Sequence, residues 1–128
     1  MAPTDLQTVP IQADKSSLAV ARNEIRRAVK SWMSVEAAET AVLLTNELVA
    51  NALKHGGAVE TVNLAFARRG DVLWVGVSQP LPFQRKKPAV TTGWGLRLVE
   101  TLADLWEHEV QPDGSTIVSF ELHRNGKT

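Results

Sequence analysis

The chain contains no cysteine, which excludes disulfides and thiolate-held metals. It carries no charge surplus, because Lys plus Arg and Asp plus Glu number 14 each. Nucleic-acid binders that work mainly through charge have a large basic excess, so that class is disfavoured. No apolar run approaches the ~20 residues that a membrane-spanning helix needs. The first residues, Met1 to Leu6, lack the charged-then-apolar order of a secretory leader, and the expected location is the cytoplasm. There is no internal repeat and no interdomain linker. What is present is a 44% hydrophobic content over 128 residues, enough for one domain with a real core.

Residues 7–12 read as a short edge strand, because Pro10 cannot donate to a central ladder. Asp14 or Ser16 can cap a following helix. Leu18, Ala21, Ile25, Ala28 and Trp32 recur at three-and-four spacing, which predicts an amphipathic helix to about Ser31. Arg22, Arg26, Arg27 and Lys30 fall off that stripe and are expected in solvent. A second helix is predicted over residues 35–55, with Glu36 and Glu39 favouring its start, Lys54 and His55 its end, and Gly56-Gly57 stopping it. Residues 61–67 and 72–78 predict a hairpin around Arg68-Arg69-Gly70-Asp71. Residues 79–92, with three prolines and the run Arg85-Lys86-Lys87, lose all periodicity and read as a long, lid-like loop. A third helix follows from Leu96 to Leu105. Two strands, 107–111 and 116–123, then flank the turn Pro112-Asp113-Gly114-Ser115. The expected fold is α+β: a two-layer α/β sandwich, with a mixed, mostly antiparallel sheet and helices on one face.

Within the second helix, Glu47, Asn51 and His55 recur every four residues and form one polar stripe, with Lys54 beside it. A carboxylate can take a proton, a carboxamide oxygen can hold a hard metal ion, and cations can meet phosphate. The surrounding helix is almost wholly apolar, so the stripe reads as a site rather than a solvated face. Gly93 and Gly95 bracket Trp94 where the third helix opens. Glycines there let backbone N–H groups approach an anion that the helix dipole also favours. Trp94 itself, like Trp32, Trp74 and Trp106, is expected to pack in or at the rim of the core. The basic loop residues Arg85, Lys86 and Lys87 divide evenly between solubilising charge and a phosphate or partner role.

On these residues the chain resembles the Bergerat-fold ATPases, the superfamily of gyrase and the histidine kinases. Within it, the chain is most similar to the single-domain anti-sigma-factor serine kinases of actinobacterial type. Glu47-x-x-x-Asn51-Ala52-x-Lys54-His55-Gly56 matches that family's N box, and Thr92-Gly93-Trp94-Gly95-Leu96-x-Leu98-Val99 its second glycine box. The resemblance runs from Val9 to Leu122 and includes element order.

The resemblance implies a histidine-kinase-like ATPase domain that binds ATP or ADP with Mg²⁺. It implies that Asn51 coordinates the metal, that Glu47 is the catalytic base, and that Lys54 and His55 lie near the nucleotide. It also implies that Thr92, Gly93, Trp94, Gly95 and Leu96 wrap the phosphates. Where the family has an adenine-contacting Asp the chain has Gln79, and the usual Gly two residues on is Leu81. Gln79 can still accept a hydrogen bond, but without charge, a loss worth roughly tenfold in ATP affinity. The implied function is control of transcription by binding a sigma factor and phosphorylating an antagonist (anti-anti-sigma) protein on serine or threonine. Members of the family commonly dimerise, and the resemblance implies a homodimer here, with the sheet edge as the expected contact. Gln79 and Leu81 favour a second reading, a non-catalytic module that sequesters its partner, whereas the intact Glu47 favours the kinase.

Overall fold

The computed structural model describes residues 6–14, 16–55, 61–79 and 94–126, side chains at 54, 55, 79 and 94–96 excepted. Its elements are β1 (Gln7–Gln12), α1 (Ser17–Val29), α2 (Val35–His55), β2 (Thr61–Arg69), β3 (Val72–Gln79), α3 (Trp94–Leu102), β4 (Leu105–Val110) and β5 (Thr116–His123). The five strands form one sheet in the order β1-β2-β3-β5-β4. Every pairing is antiparallel, so the sheet is not mixed. The architecture is α+β, with three helices against a five-stranded antiparallel sheet. β1 is an edge strand, as Pro10 requires.

Period-two burial sorts the strands. Ile11, Val62, Leu64, Phe66, Leu73, Val75, Val77, Phe120 and Leu122 enter the core with α1, α2 and α3. The central helix, α2, contributes Ala37, Ala41, Val42, Leu44, Leu48, Val49 and Ala52 to it. Burial of this kind is worth ~1.5–3 kcal/mol for each large aliphatic side chain and outweighs intrinsic helix propensity. Ser34 Oγ accepts the Ala37 N–H at 3.1 Å and so caps the first turn of α2. The helix spans the residues its sequence pattern predicts; its Gly56-Gly57 stop lies outside the described residues.

Several boundaries differ from expectation. The first helix ends at Val29 rather than Ser31, because Ser31 adopts φ 65°, a left-handed conformation incompatible with continuing the helix. Its start is organised by Asp14, whose Oδ1 accepts both the N–H and the Oγ–H of Ser16 at 2.8 Å; Ser16 makes no capping bond of its own. The β2–β3 strands run to Arg69 and resume at Val72, leaving a two-residue turn of Gly70 and Asp71. Gly70 takes φ 62° there, which favours glycine. The third helix covers Trp94–Leu102 rather than Leu96 to Leu105. Asp104 N–H bonds to Glu121 O at 2.9 Å, and Leu105 pairs with Glu121, so sheet pairing draws this segment out of the helix and starts β4 two residues early. Gln111 N–H closes the following turn onto Ser115 O at 2.7 Å and is not part of the strand.

Trp32 and Trp106 pack against the core, as expected. Trp74 does not. It alternates with Leu73 and Val75 and therefore projects from the opposite sheet face. There its indole lies over Gly76, where a Cβ would sit 2.6 Å from the ring, and Arg69 stacks 5.1 Å from the ring centroid. Gly76 is needed for this close approach, not for backbone freedom.

Candidate functional site

The strand order places α1 and α3 on opposite sides of α2. α1 packs on α2 and β1, and α3 on α2 and β4, and these two strands are the two edges of the sheet. Asn46 marks the α1 side of α2, because its Oδ1 accepts from Arg22 Nη1 at 2.8 Å. Asn51 lies five residues further, ~140° around the helix, and Glu47 ~100° around in the same sense as each turn adds one residue step. Asn51 therefore faces away from α1, toward the side on which α3 packs, and Glu47 lies about a quarter-turn from the α1 side. Both are half-buried, and neither side chain makes a hydrogen bond to another described residue. A carboxylate and a carboxamide one turn apart, partly shielded and without such partners, offer oxygen donors to a bound group.

Chain direction gathers the remaining candidates at one end of the sheet. β3 ends at Gln79, β5 begins at Thr116, and the two residues are register partners. β2 begins at Thr61, shortly after α2 ends, and α3 ends just before β4 starts opposite Glu121 at the far end of β5, so α3 starts toward the near end. The last turn of α2, with Lys54 and His55, thus lies at the same sheet end as Gln79, Thr116 and the start of α3, with Trp94, Gly95 and Leu96. Trp94 and Gly95 belong to the first turn of α3 rather than to a preceding loop. Thr92, Gly93 and the expected lid beyond Gln79 lie outside the described residues.

Thr116 is a residue that the sequence pattern passes over. It is 8% exposed, next to buried Ser115, and its position alternates with Val118 and Phe120 toward the helix side. A buried polar residue opening an otherwise apolar strand is the available signal, but its place opposite Gln79 depends on the β3–β5 register. Ser115 N–H and Oγ–H donate to Asp113 Oδ1 at 2.9 and 2.6 Å, which fixes the turn that presents Thr116. These two bonds, the hydroxyl first, hold the Asp113 carboxyl below its ordinary value.

Among the described residues no three His, Asp or Glu side chains come together as a metal cluster. Among the described residues, Asn51 Oδ1 is the neutral oxygen that this stripe offers to a hard cation. No helix among the described residues is long and apolar enough to cross a membrane. No protein-family model matches the chain, and no curated protein matches it.

Proposed function

We propose that this chain is an ATP- and Mg²⁺-binding regulatory protein with the Bergerat architecture, of the anti-sigma-factor serine/threonine kinase type. The observation that carries this reading is the half-buried pair Glu47 and Asn51 on the side of the central helix away from α1, two turns and one turn before the helix end that lies where β3 stops and α3 starts. In this reading Asn51 Oδ1 holds Mg²⁺, which would neutralise triphosphate charge. Glu47 accepts the proton of a substrate hydroxyl. That oxygen bonds to the γ-phosphorus as the bond to ADP breaks, and ADP leaves with the bonding pair. The first N–H groups of α3, free of helix partners by geometry, meet phosphate oxygens, with Gly95 leaving room for them. Lys54 and His55 lie beside the phosphates, and Gln79 with Thr116 borders the base. The partners are a sigma factor and its antagonist protein.

Gln79 favours a second reading, because a neutral carboxamide replaces the carboxylate that the resemblance calls for at the adenine. In that case the scaffold binds its partner without nucleotide chemistry. Calorimetric titration with ATP and ADP, with and without Mg²⁺, separates the two. The kinase-type reading expects Mg²⁺-dependent micromolar binding that Asn51→Ala abolishes and Gln79→Asp tightens by about tenfold. Binding to Gln79→Asp but not to the natural chain selects the non-catalytic module. Binding to neither removes the nucleotide-binding reading altogether.

A further inference from the structure

On the α1 side of α2, away from Glu47 and Asn51, the structure holds a groove of about 780 Å³ between the two helices. Its apolar lining is Val29, Met33, Val35, Ala38, Val42 and Leu43. Val35 is 77% exposed and Leu43 41%. Scattered exposed aliphatics need no explanation, but these two share one concave surface. The rim along α1 is cationic. Arg22 and Arg26 lie one turn apart on α1, and Lys30, four residues further, is the residue that caps its C-terminus. Glu39 is the groove's one carboxylate. No carboxylate among the described residues lies within salt-bridge distance of any of the three cations. Arg22 is fixed at one end by its bond to Asn46.

We propose that this groove docks an amphipathic helix of a partner protein, one that lays an apolar ridge between α1 and α2 and carries Asp or Glu at four-residue spacing against Arg22, Arg26 and Lys30. A third helix seats between two neighbours by ridge-into-groove packing. Its acidic stripe would supply the carboxylates that the rim lacks, and cations at fixed four-residue intervals select a helical rather than an extended ligand. A membrane surface fits less well. The apolar face of α1, with Ala21, Ile25 and Val29, is already spent in the core and cannot enter lipid. The proposal is independent of nucleotide binding, because the groove and the Glu47–Asn51 stripe lie on different flanks of α2.

The test uses the full chain and a designed peptide of about five helical turns. The peptide carries Leu along one face and Glu flanking it every four residues, and its twin has Lys for each Glu. Titration is followed by amide NMR shifts and by anisotropy of the labelled peptides. The expected result is saturable binding of the Glu peptide, with shifts centred on Arg26, Lys30, Val35 and Leu43, and at least about tenfold weaker binding of the Lys twin. The Arg26→Glu/Lys30→Glu variant should reverse that preference. Leu43→Asp should weaken both peptides while leaving the thermal transition in place, since Leu43 is exposed. Equal binding of the twins, shifts elsewhere, or no saturation by ~1 mM would overturn the proposal. So would binding to phosphatidylglycerol vesicles that the charge reversal removes, which assigns the groove to a membrane. Dimerisation in sedimentation that buries these same residues would assign it to a second copy.

Discussion

Thr45 is completely buried on α2, and its Oγ1 finds no hydrogen-bond partner among the described residues. An unpaired buried hydroxyl costs ~1–3 kcal/mol, and an apolar replacement of the same shape removes that cost. Thr45→Val is therefore expected to stabilise the protein by about 1 kcal/mol in urea unfolding; a loss of stability would mean that the hydroxyl is hydrogen-bonded in the folded protein. Asp14 and Asp113 show the reverse case, in which a short side chain satisfies its neighbours. Ser16 hydroxyl and amide hold the first carboxyl, and Ser115 hydroxyl and amide the second, below the ordinary 3.8. A carboxylate whose folded pKa is depressed contributes stability above its unfolded value and loses it as pH falls through the folded one. Stability is thus expected to fall below about pH 4, and the fall should be shallower in Asp113→Asn, as read from unfolding midpoints across that range.

At the scale of elements, the α1–α2 connection is held by one aromatic ring. Arg68 from the end of β2 and Arg124 beyond β5 lie 5.4 and 5.3 Å from the Trp32 ring centroid. Arg124 also reaches Asp71 at 3.6 Å, and its carbonyl accepts Ser34 N–H at 2.9 Å. The loop, the β2–β3 turn and the chain after β5 are thereby tied at the end of the sheet opposite the candidate site. Removing the ring takes away both guanidinium contacts and its packing on the core. Trp32→Ala is expected to cost about 2–3 kcal/mol, whereas Trp32→Phe should retain more than half of that in the same denaturant titration. The boundary differences belong to this scale as well. The pattern of α2 is legible because capping, periodicity and burial agree within it. The end of α3 was displaced by a partner strand that no local pattern announces.

At the scale of the molecule, a five-stranded open sheet has two edges to protect. β1 presents Pro10, and β4 presents Glu107 and Glu109, with exposed Leu105 and Val110 at its two ends. Charge on an edge strand discourages pairing with another chain. Glu107→Thr/Glu109→Thr should therefore lower the concentration at which the protein associates, measured by light scattering at fixed ionic strength; unchanged scattering would show that the β4 edge is protected by other means. The same global arrangement gives α2 two distinct sides, the polar pair away from α1 and the cationic groove facing it. Neither flank can be assigned before the helices are packed on the sheet.

The sequence by itself determined the class of the fold, the span of α2, the edge position of β1 and the four-residue stripe of Glu47 and Asn51. Each of these rests on periodicity, proline chemistry or capping read locally, and the fold class on the order of the elements so read. Only the tertiary structure decided that β3 lies beside β5, and hence that Thr116 faces Gln79. The tertiary structure also placed Trp74 over Gly76 outside the core and made a groove of Val35, Leu43 and the α1 cations. Those relations depend on long-range strand register and helix packing, where residues distant in sequence compete for the same surface, and local pattern carries no record of which pairing wins.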